Sequence, residues 1–277
     1  MHRVRSLAAV ALSLGFAAAC SDQPASIAAP KTARFIVNGQ PTGNLYPAVG
    51  ALLFDYRKNG ITGNDEWCTG SLITPTIFLT AAHCIVTPYT PPGSQFYVSF
   101  SPDLFAASFT YIAATGYVVD PLYGHDVASL HDLALVFLPK GSTRGISPLQ
   151  LPPTGYLDDL KASGVINDLL FVNVGYGTSA SLTGAPDFPF DGKRSYSLSE
   201  FMGLQPTWLG LLMNSNATGV GGDCYGDSGG PKFINGNSSM IVATVTTGDY
   251  PCRATSWDWR LDTPEARGFL GTYVSLP

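Results

Sequence analysis

Gly226-Asp227-Ser228-Gly229-Gly230-Pro231 is the stretch on which the fold turns. Glycines on both sides of one serine let the backbone bend sharply, so that the N–H groups of Gly226 and Ser228 can converge on a point where negative charge develops. A serine hydroxyl is a weak nucleophile at neutral pH. It needs an imidazole to take its proton, and the imidazole needs a carboxylate to fix its tautomer and stabilise it when charged. Read alone, the stretch is equally a glycine-rich turn, and Gly226-x-Ser228-x-Gly230 also fits the strand-to-helix elbow of the α/β-hydrolase fold. Chain order removes the elbow, because there the histidine follows the serine, whereas all four histidines here (2, 83, 125 and 131) precede Ser228.

Upstream, Thr80-Ala81-Ala82-His83-Cys84 and Asp132-Leu133-Ala134-Leu135 supply an imidazole and a carboxylate. His125 and His131 read as solvated loop residues, and no further ligands turn that pair into a metal site. The composition around these motifs narrows the fold. Of the 277 residues 45% are hydrophobic and only 13% charged, which excludes a disordered chain or a coiled coil. With a net charge of -5 and a sequence pI of about 5.2 there is no basic surface to collect phosphates, so nucleic acid is not an expected partner.

Gly 30, Pro 21 and 12% aromatic residues favour short strands joined by turns. Apolar runs bounded by turn residues recur at Ala48–Phe54, Ser71–Leu79, Gln95–Phe100, Tyr111–Val119, Leu133–Leu138, Leu169–Val174 and Met240–Thr246, which predicts barrels or a sandwich. A short helix is expected at Thr263–Leu270, with Thr263 as cap, Pro264 at the first position and Glu265 at the positive end of the dipole. A weaker helical signal lies at Leu198–Leu204. The Pro148–Gly155 stretch divides the chain into halves of about 36–150 and 151–277.

Before the strands begin, a basic start (Arg3, Arg5) and an apolar run from Leu7 to Ala19 read as an export signal over residues 1–20. Cys20 follows Ala17-Ala18-Ala19, which resembles the lipobox of bacterial lipoproteins, although Ala17 stands where that pattern prefers Leu. Cys20 is therefore a candidate for lipidation and membrane anchoring; the other reading is ordinary signal cleavage with Cys20 discarded or left free. Residues 21–35, rich in Ala, Pro and Ser, read as a linker or propeptide.

Together and in the order His, Asp, Ser, the three motifs resemble the chymotrypsin/trypsin family of serine endopeptidases, and the likeness covers essentially the whole chain after residue 35. Ile36-Val37-Asn38-Gly39 resembles the mature N-terminus of that family and Trp67-Cys68-Thr69-Gly70-Ser71-Leu72-Ile73 its first cysteine strand. Val174-Gly175-Tyr176-Gly177 resembles its mid-chain Gly-aromatic-Gly element, and Thr246-Thr247-Gly248 stands where the family holds substrate backbone. The resemblance implies an all-β chain of two six-stranded antiparallel β-barrels with a short C-terminal helix, residues 36–277 forming the peptidase domain. The active site would lie in the cleft between the barrels. The implied roles are His83 as general base then acid, Asp132 as its orienting carboxylate, Ser228 as nucleophile, and the Gly226 and Ser228 N–H groups as oxyanion hole. Asp126 also follows a histidine, but Leu133–Leu138 is the apolar strand the family places after its aspartate. The resemblance likewise selects Cys68–Cys84 and Cys224–Cys252 from the three connectivities four cysteines allow, leaving Cys20 to export.

No cofactor and no metal are implied, the substrate is a polypeptide, and an exported, extracellular or periplasmic monomer is expected. A catalytically inactive protease-like binding protein and an esterase with the same triad are the rival readings. Activation in the family frees an Ile amino group to pair with the aspartate before the nucleophile, here Ile36 with Asp227. The bond to cut is Phe35-Ile36, so either a protease with aromatic preference acts there or activation works differently. Gly222 takes the place that floors the specificity pocket. Asp223 next to it is either a negative charge on the pocket wall or a turn residue facing water, Gly248 would leave the pocket entrance open, and Thr247 replaces an aromatic residue of the substrate-binding strand.

Overall fold

The computed structural model describes residues 36–181 and 184–277; the export signal, Cys20 and the 21–35 linker lie outside the described residues. In the first half, β2 (Val49–Phe54), β3 (Glu66–Thr74), β4 (Ile77–Thr80), β5 (Phe96–Ser99), β6 (Ile112–Ala113), β7 (Gly116–Val119) and β8 (Ala134–Phe137) pair in the order β6-β5-β2-β3-β4-β8-β7. Every pairing is antiparallel. The predicted run Tyr111–Val119 breaks at Ala114-Thr115 into β6 and β7, which lie at opposite ends of this sheet. Ala114 N–H donates to Phe96 O at 3.0 Å and Thr115 N–H to Phe137 O at 2.8 Å, so one interrupted run curls the sheet onto itself. The other predicted run that splits is Ser71–Leu79, where Pro75-Thr76 turns β3 into β4.

In the second half, β9 (Leu170–Gly175), β10 (Ser195–Leu204), β11 (Trp208–Leu212), β12 (Pro231–Ile234), β13 (Ile241–Gly248) and β14 (Thr255–Arg260) run in the order β10-β11-β14-β13-β12-β9, and β9 pairs back to β10. That last pairing closes a six-stranded barrel. The two-residue β1 (Gln40–Pro41) belongs to this second sheet, against Tyr196 and Ser195. Arg194 fastens the same connection: buried, it donates to Thr42 Oγ1 at 3.1 Å, Val49 O at 2.9 Å and Leu45 O at 2.9 Å.

Leu198–Leu204 is strand, not helix. Along β10, Ser195, Ser197 and Ser199 alternate inward and are buried, so the two-residue period is real but its inner face is polar. Asn173 on β9 donates to Ser197 Oγ at 2.9 Å and Ser199 Oγ at 2.7 Å, while the buried Ser195 Oγ has no hydrogen-bond partner among the described residues. Helices are short: α1 (Ala82–Ile85), α2 (Tyr156–Ala162), α3 (Ser215–Thr218) and α4 (Pro264–Leu270). In α4, Thr263 Oγ1 accepts the Ala266 N–H at 3.3 Å with Pro264 in the first turn, as its sequence predicts. The core joins the sheets, Leu52, Leu72, Phe78 and Val136 lying in one cluster with Val172, Phe233 and Trp259.

Candidate active site

His83 is carried by α1, immediately after β4, and Asp132 lies just before β8, the strand that pairs with β4. The Asp132 carboxylate is fully buried. Its Oδ2 stands 2.8 Å from His83 Nδ1 and its Oδ1 accepts the His83 main-chain N–H at 2.9 Å. An ionised carboxylate accepts only, so Nδ1 carries the ring proton and Nε2 is left as a base. Asp126, the competitor, is exposed and accepts the Ala128 N–H at 2.9 Å.

His131 corrects the expectation of a solvated loop residue. Half-buried and at φ 56, it places Nδ1 3.0 Å from Asp120 Oδ2, and its ring lies 5.7 Å from that of Trp259. It and Asp120 brace the turn that delivers Asp132, with Asp120 N–H donating to Leu133 O at 2.9 Å. His125 is exposed, as expected.

The serine loop meets the histidine loop through backbone. Gly229, at φ +77, would drive a Cβ into Thr80 Oγ1 and to 2.5 Å from Ala81 N, so only glycine lets the two motifs approach. Thr69 on β3 pins the loop from the first sheet: its N–H donates to Ser228 O at 2.9 Å and its Oγ1 to Gly226 O at 2.9 Å. Ser228 lines a cavity of about 360 Å³. Among the described residues no hydrogen bond joins Ser228 Oγ to His83, and neither the Gly226 nor the Ser228 N–H has an acceptor. Gly226 sits at φ +96, where a side chain is strained.

Asp227 is fully buried, its carboxylate accepting Gly177 N–H at 2.8 Å and Cys224 N–H at 2.9 Å. Burial first, then the nearby Asp223 charge, push its pKa up to about 8. Among the described residues it has no salt bridge. Ile36 is buried at φ 51, and Val37 exchanges two main-chain bonds with Gly222, of 3.0 and 3.1 Å, so the 36–37 segment is docked against the residues leading to Asp227. A group that sequence reading missed also faces this loop: Glu66 packs where a Cβ on Gly226 would lie, its Oε1 buried and without a hydrogen-bond partner among the described residues. Burial and the Asp227 charge raise the Glu66 pKa well above the ordinary range.

Around the cavity, Thr246, Thr247 and Gly248 from the end of β13 form one wall and Cys224 and Cys252 another. Both disulfides, Cys68–Cys84 and Cys224–Cys252, are present. The first lies within 4.8 Å of a His83 ring nitrogen, but sulfurs bonded to each other offer no thiolate to a metal. Gly222 is not at the cavity surface; Met213 fills the space its missing Cβ leaves and lines the cavity instead. Asp223 lines the cavity and is buried against Lys232 and Ser256, so it is not a solvent-facing turn residue. Lys232 and Asp258 are further members that sequence reading missed. Their signal was a lone charge inside Lys232-Phe233-Ile234 and another between Trp257 and Trp259.

Residues 46–187 match the family model Trypsin. The chain belongs to the trypsin family. Among solved structures this trypsin-family chain is similar to HL collagenase, at 18% identity over 87% of this chain and 100% of that one, with a TM-score of 0.61. It is similar to human heparin-binding protein at 16% identity over 87% of this chain and 99% of that one, again with a TM-score of 0.61. At such identities the likeness is one of fold, and the trypsin-like double barrel is the fold the strand pairing describes.

Proposed function

We propose that this trypsin-family chain is a serine endopeptidase that cleaves polypeptides through an acyl-enzyme. The observation that carries the reading is the buried Asp132 carboxylate holding both the ring and the main chain of His83, with the Ser228 loop drawn against the same turn through Gly229. His83 Nε2 takes the Ser228 proton as Oγ attacks the carbonyl carbon, the unclaimed Gly226 and Ser228 N–H groups receive the oxyanion, and the imidazolium then protonates the leaving amine. Water repeats the sequence on the ester. We further propose that the active chain begins at Ile36, whose freed ammonium would pair with Asp227. The docked Val37–Gly222 contact supports this, because it already brings the segment to the loop.

Two disulfides fit an exported protein. Lipid anchoring through Cys20 is part of this proposal. Among the described residues no helix is long and apolar enough to cross a membrane. A protease-like binding protein is the second reading, favoured by the absence of a His83–Ser228 hydrogen bond, although such bonds are often long before substrate binds. Wild type is expected to label with a fluorophosphonate and digest casein, and Ser228→Ala to do neither. Equal labelling of the two would establish the binding reading, and hydrolysis of small esters without casein the esterase. Sequencing the labelled protein from its N-terminus should read Ile-Val-Asn-Gly; another start would remove the Ile36–Asp227 pair.

A further inference from the structure

Behind the cavity beside Ser228 lies a buried set of charges that bears on which side chain the cavity admits. Lys232, projecting from β12, has no exposed surface. Its ammonium contacts Asp223 Oδ2, donates to Asn173 Oδ1 at 2.7 Å and stands 3.4 Å from Asp258 Oδ1. Ser256 donates to the same Asp223 Oδ2 at 2.9 Å. One oxygen of Asp223 is thus already held by a cation and a hydroxyl, and Asp249, the other carboxylate lining the cavity among the described residues, accepts the Arg253, Ala254 and Thr255 main-chain N–H groups. The ammonium and the Asp223 carboxylate form a closed pair against the cavity, with Asp258 Oδ1 the next carboxyl oxygen to the ammonium.

An entering arginine or lysine would be drawn by Asp223 and repelled by the ammonium beside it. The other Asp223 oxygen, Oδ1, is buried and among the described residues has no hydrogen-bond partner, in a residue that lines the cavity. A buried acceptor of this kind is costly until a donor reaches it. Much of the remaining lining is apolar or aromatic, with Met213, Val245, the Cys224–Cys252 bridge, Tyr225 and Tyr250 beside Thr246 and Thr247.

Resting on the endopeptidase reading, we propose that the pocket takes a neutral side chain ending in a hydrogen-bond donor, tyrosine first, and that Lys232 excludes arginine and lysine by acting through Asp223. The test uses peptide p-nitroanilides that differ only in Tyr, Phe, Arg or Lys before the scissile bond, with active sites counted by fluorophosphonate. For the wild type, kcat/KM should be about tenfold or more higher for Tyr than for Arg or Lys, and severalfold higher for Tyr than for Phe. The double variant Lys232→Met, Asp258→Asn removes the ammonium together with the second carboxyl group beside it, so that Asp223 loses its cation. Its Arg-to-Tyr ratio should rise about tenfold or more, which a merely structural lysine would not produce. Best hydrolysis after Arg or Lys by the wild type overturns the assignment while leaving the endopeptidase reading intact. Phe equal to Tyr removes the donor from it. A labelled double variant with an unchanged ratio removes Lys232, and if that variant does not fold the wild-type panel alone decides. Labelling without hydrolysis of any of the four overturns the assignment only, whereas no labelling and no hydrolysis overturn both.

Discussion

Gly175 and Gly177 flank a buried tyrosine for a reason that lies 50 residues away in the chain. A Cβ on Gly175 would overlap Asp227 Oδ1, and one on Gly177 would lie 2.5 Å from Asp227 Cγ and 2.7 Å from its nitrogen. The Gly-Tyr-Gly element is the socket for the Asp227 carboxylate, and the Gly177 N–H is one of its two main-chain donors. Gly177→Ala is expected to cost about 1–3 kcal/mol, because neither backbone nor a buried carboxylate can move aside cheaply. Melting temperature should fall by about 2–4 °C per kcal/mol and fluorophosphonate labelling should slow as the serine loop shifts. Full labelling at wild-type rate would show that the socket tolerates a methyl group.

At the scale of elements, β3 ties the two halves of the site together. It supplies Cys68 to the bridge that fixes α1 and Thr69 to the clamp on the serine loop. The Trp67 indole N–H adds a bond to Cys84 O at 3.0 Å. Replacing both Cys68 and Cys84 by Ser opens a loop of sequence separation 16, for which loop-closure entropy predicts a loss of about 3 kcal/mol. Chemical denaturation should report that loss. If α1 is held chiefly by the bridge, labelling of Ser228 should also slow, since His83 rides on α1; unaltered labelling would assign its placement to Asp132 alone. Three strands that the sequence hid, β10, β12 and β14, have a common cause. β10 and β12 bury serines and a lysine, and β14 buries Asp258 and Arg260, so apolar alternation is missing although strand alternation is present.

For the molecule as a whole, Asp227, Asp258 and Glu66 are carboxyls held above their ordinary range by burial. Each keeps its proton in the folded chain and loses it near pH 4 when unfolded, so folding takes up protons between about pH 4 and the raised values. Their stabilising contribution is complete below about pH 4 and is lost as the pH climbs through about 7 to 8. Lys232, raised above 10.5, titrates outside that window. Calorimetry on the uncleaved chain should therefore find a lower melting temperature at pH 8 than at pH 5. Glu66→Gln should flatten that fall; an unchanged slope would place its origin outside the serine loop. In a chain cleaved before Ile36, an ammonium beside Asp227 would lower its pKa and weaken the same dependence.

What the sequence by itself determined is the chemistry that needs fixed residue types. The glycines around Ser228, the His-Asp-Ser order and the α4 cap are legible because a tight turn, a cap and the proton transfer we propose each admit few side chains, whereas the pairing of the four cysteines came only from the family resemblance. The tertiary structure alone decided what surrounds them. Asp223 was open between pocket wall and solvent-facing turn until Lys232 and Ser256 were found against it, and His131 read as solvated until Asp120 and Trp259 enclosed it. These outcomes depend on contacts between strands far apart in the chain, and the burial of a charge is set by the partner that the fold brings to it.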